Sequence, residues 1–342
     1  MNTRWLVLFF IVIAFYKLKA QDIHFSQFKE APLQVNPSFA GNFPGDQRFI
    51  MNYRNQWSTM GIPYTTYAFS FDMPFTFKAL GKNTKLGLGT FAYRDIAGDL
   101  NMGILQANIN LAAHVRVSDN HFVSAGLMTG FVQRSIDPSN ARWGSQFDGY
   151  GYNADLPAGS INVQAFSFLD VSGGVSWLYT ENAATLSSKD NKWVRVGLAV
   201  GHLSRPQQKF YEYQLDRIGM KPTLFAEGHY GISNTNIALR PQLLIEKQIK
   251  HNEWIIGNLF WYRLSEESHY TDLKHQTAIS IGALYRVKDA VIGMMTIEYA
   301  NFALGISYDY SLSPFKGSAL EISLRYINPN PFKVYQVRSR FN

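Results

Sequence analysis

Residues 102–117 read MGILQANINLAAHVRV, and their side chains alternate between apolar and polar. The apolar positions are Leu105, Ala107, Ile109, Leu111, Ala113, Val115 and Val117, and between them lie Gln106, Asn108, Asn110, Ala112, His114 and Arg116. Successive side chains of a β-strand point to opposite faces, so this pattern predicts a strand with one apolar and one polar face. A globular strand has about 5–6 residues, whereas a tilted strand needs about 9–11 to cross a bilayer. The run is long enough to span a membrane.

The same alternation recurs at residues 122–133, 193–202, 302–310 and 320–326. Large aliphatic side chains alternate there with Gly, Ala, Ser, Arg and Glu, as expected for a barrel with a lipid-facing exterior and a polar lumen. Backbone groups in lipid must all be hydrogen-bonded, so the sheet has to close. A secreted β-sandwich is the alternative, but its strands seldom carry charged inner faces. The sequence predicts an all-β protein, a transmembrane outer-membrane β-barrel of about 14 antiparallel strands.

The predicted strands give a topology for the connections. They begin near Arg48, Tyr64, Lys85, Met102, His121, Phe168, Lys192, Thr223, Asn236, Glu253, Gln276, Val291, Phe302 and Leu320. If both termini are periplasmic, the long connections at residues 135–163 and 203–222 lie on the external side of the membrane. The short connections at 118–120, 233–235 and 300–301 lie on the periplasmic side. The connection at 265–275 is long for the periplasmic side, which raises the alternative that a neighbouring strand is miscounted.

The N-terminus carries the signals of a secretory signal peptide. Arg4 precedes an uninterrupted apolar run, WLVLFFIVIAFY, and the segment ends on the small residue Ala20. Such a run is too short for a comfortable membrane span. Cleavage after Ala20 exposes Gln21, although Leu18 is large for a processing site and leaves an uncleaved anchor as the alternative. The predicted organisation is a signal peptide at 1–20, an N-terminal segment at 21–45, the barrel at 46–327 and a C-terminal tail at 328–342. The N-terminal segment is expected to pair with the sheet, plug the lumen or hang free.

Composition excludes several classes of function. The 342 residues contain no Cys, which rules out disulfides, zinc fingers, Fe–S clusters and cysteine nucleophiles. Only 17% of the residues are charged. Lys and Arg number 32 against 25 for Asp and Glu, and part of that excess lies in the predicted signal peptide. This balance argues against nucleic acid as a partner.

Several motifs resemble those of one family. Residues 21–28 read QDIHFSQF and residues 52–57 read NYRNQW, with Asn36-Pro37 and Ala40-Gly41 between them. Shorter pieces follow, among them WGSQFD at 143–148 and GISYDY at 305–310. This arrangement resembles the PorP/SprF family of type IX secretion system membrane proteins. Ile23 departs from the pattern, where Pro is expected, and so does Ser38-Phe39, where two small or aliphatic residues are expected.

The resemblance implies a function and a set of partners. It implies an outer-membrane protein of a Gram-negative bacterium that helps to export or anchor a large surface protein, an adhesin, and that in some members is linked to gliding motility. The implied partners are this exported substrate, other components of the secretion system and outer-membrane lipid. The resemblance carries over no catalytic residue.

No catalytic, metal or cofactor site is predicted from the residues themselves. The eight His are scattered and form no recognisable hydrolase or metalloprotease motif. A rim hydrolase built from Ser204 near His202 is an unsupported alternative. Asp95 and Asp99 offer too few oxygens for calcium, and a turn with Gly98 at positive φ is the preferred interpretation.

Two groups of candidate site residues follow from the predicted barrel. A polar network in the lumen is predicted from Asn108, His114, Arg116, Arg195, Arg240, Glu246, Glu321 and Arg325. Such charges either brace a barrel or select a solute. Asn108 is expected to face a wet lumen and to tolerate Arg. Aromatic, glycine-rich external loops predict partner-binding residues at Trp143, Gln146, Phe147, Tyr150, Arg205 and Tyr211, with a self-packed lid over the lumen as the alternative.

Two functions fit these observations. One is a barrel that anchors an exported protein through its loops, and the other is a diffusion pore or solute transporter. A polar inner face suits both. Mixed charge on that face favours the anchor, since a selective pore builds a field of one sign.

Overall fold

A computed structural model of the chain describes residues 22–57, 63–98, 100–159, 165–181, 192–208, 216–265, 276–312 and 317–328. Long strands dominate this part of the chain. The few helical pieces in the described ranges are single turns, and none is long and apolar enough to cross a membrane.

Fourteen strands form one closed antiparallel barrel. They are β1 Gln47–Gln56, β2 Tyr64–Phe75, β3 Thr84–Ala97, β4 Met102–Arg116, β5 His121–Ser135, β6 Phe166–Thr180, β7 Lys192–Gly201, β10 Lys221–Gly231, β11 Ile237–Gln248, β12 His251–Ser265, β13 Thr277–Arg286, β14 Ala290–Tyr299, β15 Phe302–Ser311 and β16 Ala319–Asn328. Two short strands, β8 Gln207–Gln208 and β9 Asp216–Arg217, pair as a separate ribbon. The predicted fold class is confirmed, and each predicted strand start lies within two residues of an observed one.

Pairing of β1 with both β2 and β16 closes the barrel, with Gln47 opposite Asn328. We call the end where β1 begins and β16 ends the terminus end. The opposite end, the loop end, carries the connections at 57–63, 98–101, 136–165, 202–220, 249–250, 287–289 and 312–318. Both long connections predicted to be external lie at the loop end, and the three short ones lie at the terminus end. Gly98 has the left-handed φ, 68°, that the predicted turn requires.

The long connection between β12 and β13 does not come from a miscounted strand. Both strands are present and pair from Ile255 opposite Arg286 to Ser265 opposite Thr277. The suspicion of a miscounted strand was therefore wrong, and the connection lies at the terminus end. Its residues 266–275 are outside the described part of the chain.

The outer face of the barrel is apolar from the first strand to the last. In β4, Ile109 and Leu111 are 55% and 57% exposed, whereas Asn108 between neighbouring outward residues is 4% exposed. Exposed aromatic rings gather near both ends of the strands. Near the loop end they are Tyr67, Trp254, Tyr285, Tyr308 and Tyr310, and near the terminus end they are Trp177, Tyr230, Tyr262, Tyr299 and Phe302. Two such girdles around an apolar band are typical of a barrel embedded in a bilayer.

The inner face is only partly polar, which corrects the expectation of a polar lumen. From β10 to β14 it presents a cluster of large apolar side chains: Phe225, Leu244, Ile255, Leu259, Leu284, Ile292 and Met294. These side chains are buried because residues 22–46 occupy the interior and pack against them. The expectation that Asn108 faces a wet lumen was also wrong, since it is buried in this filled interior and accepts a hydrogen bond from Gln106 Nε2.

Ile109→Arg tests the position of the bilayer. Ile109 is central in β4, whereas Val117, 66% exposed, follows the end of that strand at the terminus end. An outward arginine at the midplane should destabilise the barrel by about 2–4 kcal/mol, and one near the interface by about 0–1 kcal/mol. Denaturant unfolding in lipid vesicles measures both variants, with Val117→Arg as the control. Equal losses would contradict the assigned lipid band.

Candidate functional site: the filled lumen and the loop end

The N-terminal segment runs through the lumen from one end to the other. Asp22 lies beside His202 and Gln248 at the loop end, and the segment leaves at the terminus end, where β1 begins. Between these points it folds into three short turns, Phe28–Glu30, Pro32–Val35 and Pro37–Phe39. Proline begins the second and third turns, where a missing N–H is not needed. Of the three paths open to this segment, the structure shows the plug.

A charged cluster holds the first part of the plug. The Glu321 carboxylate accepts the backbone N–H groups of Ser26 and Gln27, at 2.7 and 2.9 Å, and pairs with Arg54. The Ser26 hydroxyl donates to Asp309 at 2.6 Å and accepts from Arg286 at 2.7 Å. All of these groups are buried. The plug therefore supplies hydrogen-bond partners that buried wall charges need in order to be stable.

Polar groups of the wall also hold the other end of the plug. Asp72 accepts the N–H of Gly41 at 2.7 Å and receives a two-pronged ion pair from Arg48, whose Nε and Nη2 lie 2.9 and 2.7 Å from its oxygens. The carbonyl of Ala40 lies 2.8 Å from Nε2 of His114. These contacts fix the chain just before it turns into β1.

Inner-face glycines make room for the plug. A Cβ on Gly126 would lie 2.5 Å from the backbone of Pro37, and one on Gly87 would lie 1.8 Å from the Ala40 oxygen. Asn36 reaches into the wall in the same way and donates to the backbone carbonyls of Val175 and Leu198, both at 3.1 Å. The plug backbone thus lies directly against the sheet, an approach that only glycine permits.

Apolar packing completes the plug. Phe28 and Phe39 meet Phe225 edge to face, with ring centroids 5.8 and 5.1 Å apart. On the other side of the lumen, Phe25 and Leu33 are buried in a second cluster that includes Ala68, Phe91, Tyr93 and Ala112 from the wall. Edge-to-face rings and full burial are typical of a protein core. The plug is a folded core element of the barrel.

Three residues, His202, Asp22 and Asp170, form an ionic latch that holds the start of the plug at the loop end. Nε2 of His202 lies 2.5 Å from Asp22 of the plug, and its Nδ1 lies 2.9 Å from Asp170 of β6. His202 follows the end of β7 and has a left-handed φ of 55°, a conformation that non-glycine residues seldom adopt without tertiary support. Burial alone would lower the pKa of His202, but the two carboxylates outweigh burial and raise that pKa to about 9. The ring is therefore charged at neutral pH.

The eight residues predicted to form a lumen network lie in three settings. His114, Arg195, Glu321 and Arg325 contact the plug, where Arg195 donates to the Asn42 carbonyl and Arg325 pairs with Glu30 at 2.8 Å. Asn108, Arg240 and Glu246 bond to the wall, with Arg240 paired to Glu298 at 2.6 Å and Glu246 accepting from Thr223. Arg116 is apart from them, paired with exposed Asp119 in the turn after β4.

Sequence reasoning missed the partners of this network. Ser26, Gln27, Glu30 and Asn36 lie in the segment for which the sequence allows three paths, and Arg54 and Asp309 lie in motifs that indicate a family and not a contact. The signal that points to them is the QDIHFSQF block, which holds buried Phe25, Ser26, Gln27 and Phe28. A second signal is the presence of glycines such as Gly87 and Gly126 at inward positions of the strands.

The predicted partner-binding residues lie at the loop end. In the 136–159 loop, Gln146 is buried and braces the loop by accepting the Trp143 N–H at 3.2 Å, while the Trp143 ring packs on Gly159. Phe147 and Tyr150 point outward and are 62% and 100% exposed. Arg205 is exposed in the 202–208 segment, and Tyr211 is outside the described residues.

Gly126→Val tests the fit between plug and wall. The new side chain meets the Pro37 backbone, so we expect the free energy of unfolding to fall by about 1–3 kcal/mol, as is typical of overpacking. Gly293→Val is the control, because Gly293 faces outward and has open space around its Cα. The temperature at which the folded band shifts on a gel measures both variants. An unchanged midpoint for Gly126→Val would contradict the close approach.

The latch predicts a pH dependence. Since the pKa of His202 is raised in the folded protein, its stabilising charge is complete below the ordinary value of about 6.5 and is lost as the pH rises through about 9. The difference in thermal midpoint between wild type and His202→Gln should therefore shrink from pH 7 to pH 10. A constant difference would contradict a charged latch.

Comparison with known proteins identifies the family of the chain. The family described as type IX secretion system membrane protein PorP/SprF matches residues 17–326. No curated protein matches the chain. Among solved structures, the toluene transporter TbuX of Ralstonia pickettii is 12% identical with a TM-score of 0.47, over 87% of this chain and 94% of that one. CdiB from Acinetobacter baumannii is 8% identical with a TM-score of 0.41, over 82% of this chain and 60% of that one. Likenesses this remote say nothing of what the chain binds. The family match covers most of the sequence, and the chain belongs to the PorP/SprF family of type IX secretion system membrane proteins.

Proposed function

We propose that this protein anchors a large exported surface protein, an adhesin, at the cell surface by docking it on the loop end of the barrel. It acts without chemistry of its own, together with other components of the secretion system. The observation that carries the proposal is the filled lumen: residues 22–46 occupy the interior with a packed core of their own. A barrel filled in this way is suited to holding a partner at its rim. The link to gliding motility rests on the family resemblance.

The filled lumen also favours the anchor over an open diffusion pore. A solute pore needs a continuous aqueous path, whereas here buried apolar rings and paired charges lie across the interior. These contacts support the anchor. In a planar bilayer we expect the purified protein to give no steady open-channel current.

Orientation follows from the connections. Bacterial barrels carry short turns on the periplasmic side and longer loops outside, and the two longest connections, at 136–165 and 202–220, share the loop end. The loop end is therefore external in our proposal. In this proposal the mature chain begins at Gln21 after removal of residues 1–20, and Asp22 lies at the external mouth.

The 136–159 loop offers a preformed contact surface. Hydrogen bonds to Gln146 and Asp148 hold its frame, with the Asp148 carboxylate accepting the N–H groups of Tyr150 and Gly151. Rigid exposed aromatics lose little entropy on binding and concentrate binding energy. Phe147 and Tyr150 are our first candidates for contact with the partner.

A double variant, Phe147→Ala with Tyr150→Ala, tests the loop in cells. It removes both rings and leaves the bracing hydrogen bonds in place, so the barrel should insert normally while the surface protein is released into the medium. Mass spectrometry of culture medium and outer membranes measures this release. Asp155→Ala is the control, an exposed residue of the same loop.

Two outcomes would count against the proposal. If the surface proteins stay attached in the double variant, this loop is not the docking surface. If they also stay attached when the whole barrel is deleted, anchoring is the wrong function.

A further inference from the structure

A groove opens at the loop end between the start of β6 and the segment that carries the β8–β9 ribbon. Its volume is about 380 Å³. The side chains that matter for its chemistry are Phe166, Phe168, Arg205 and Arg217. None of them belongs to the plug or to the 136–159 loop.

The two arginines give the groove its charge. Both are exposed, and among the described residues neither guanidinium has a carboxylate partner. Two acids of these elements bind groups other than the guanidiniums: Asp170 pairs with His202, and Asp216 accepts the backbone N–H of Arg217. Two arginines without a carboxylate partner in the described part of the chain, beside one groove, favour a ligand that brings carboxylates, because the guanidinium fork matches the geometry of that group.

The two phenylalanines give the groove an apolar wall. The two ring planes are inclined by 27°, with centroids 6.1 Å apart. In β6, Leu169 is 68% exposed on the lipid face and Asp170 is buried on the inner face. Phe166 and Phe168 share the parity of Asp170, so they face the inside of the mouth. The groove therefore opens toward the mouth of the barrel, away from the bilayer, which disfavours a lipid headgroup as its occupant.

We propose that this groove binds an extended acidic segment of the exported partner, with carboxylates on Arg205 and Arg217 and an apolar side chain on the Phe166–Phe168 wall. The inference rests on the proposed function and adds the chemistry of the docked segment. It also gives the two parts of the loop end different contacts. The 136–159 loop presents aromatic rings to the partner, and the groove binds carboxylates and an apolar side chain of the partner.

Peptide binding to the purified full-length barrel in detergent tests the groove. The probes are three fluorescent decapeptides: alternating Glu and Phe, alternating Lys and Phe, and alternating Glu and Ser. We expect the Glu–Phe peptide to bind, the Glu–Ser peptide to bind more weakly and the Lys–Phe peptide not to bind. Arg205→Glu with Arg217→Glu should weaken binding of the Glu–Phe peptide about tenfold, because two attractions become repulsions.

The control reverses two other loop-end charges, Lys250→Glu with Lys288→Glu, in the turns before β12 and β14. Binding of the Glu–Phe peptide should be retained in this variant. Equal loss in both double variants would show a general charge effect and overturn the groove. So would unchanged binding after reversal of Arg205 and Arg217, equal binding of the Lys–Phe peptide, or displacement of the Glu–Phe peptide by anionic lipid vesicles or millimolar phosphate alone.

Different results would contradict the proposed groove and the proposed anchoring function. If the Glu–Phe peptide does not bind while deletion of the barrel still releases the surface protein, the groove is wrong and the anchor stands. If deletion of the barrel leaves the surface protein attached, the anchor is wrong whatever the peptide does.

Discussion

The hydrogen bonds from the backbone of Ser26 and Gln27 to Glu321 are the contact on which the interior of this barrel depends. Glu321, Asp309, Arg54 and Arg286 project into the lumen, where they are shielded from water. Removing one partner from such a buried group typically costs about 3–5 kcal/mol. The wall charges therefore require the plug, and the plug, which has only short turns of its own, requires the wall. Neither part is complete without the other.

This dependence explains features of the sequence that a hollow barrel would not need. Glycines on the inner face remove side chains where the plug backbone passes, and the inner face of β10 to β14 is apolar because Phe28 and Phe39 pack on it. The same contacts leave the outer face free to meet lipid and the loop end free to meet a partner. In the proposed function, binding is confined to the rim because the interior is already occupied by the chain itself.

The fold was predictable from sequence because a strand with one face in lipid has a period of two, a local signal that survives along residues 102–117. The plug was not predictable in the same way. Its turns are too short for periodicity, and Ser26 meets Glu321 across 295 positions of sequence. The alternation of side chains along each strand identifies His114, Arg195 and Arg325 as inward, but it carries no information on which groups they contact. Arg116 shows the limit of parity, because it lies at the end of its strand and pairs with Asp119 in the turn.

One cross-link tests most directly whether the N-terminal segment fills the lumen. The hydroxyls of Ser38 in the plug and Ser176 in β6 lie 2.8 Å apart, and the native chain contains no cysteine. In Ser38→Cys with Ser176→Cys, mild oxidation of isolated outer membranes should join the two positions in most molecules, as measured by intact mass and by loss of reaction with maleimide. Two cysteines that stay free and react readily with maleimide would contradict the plugged barrel.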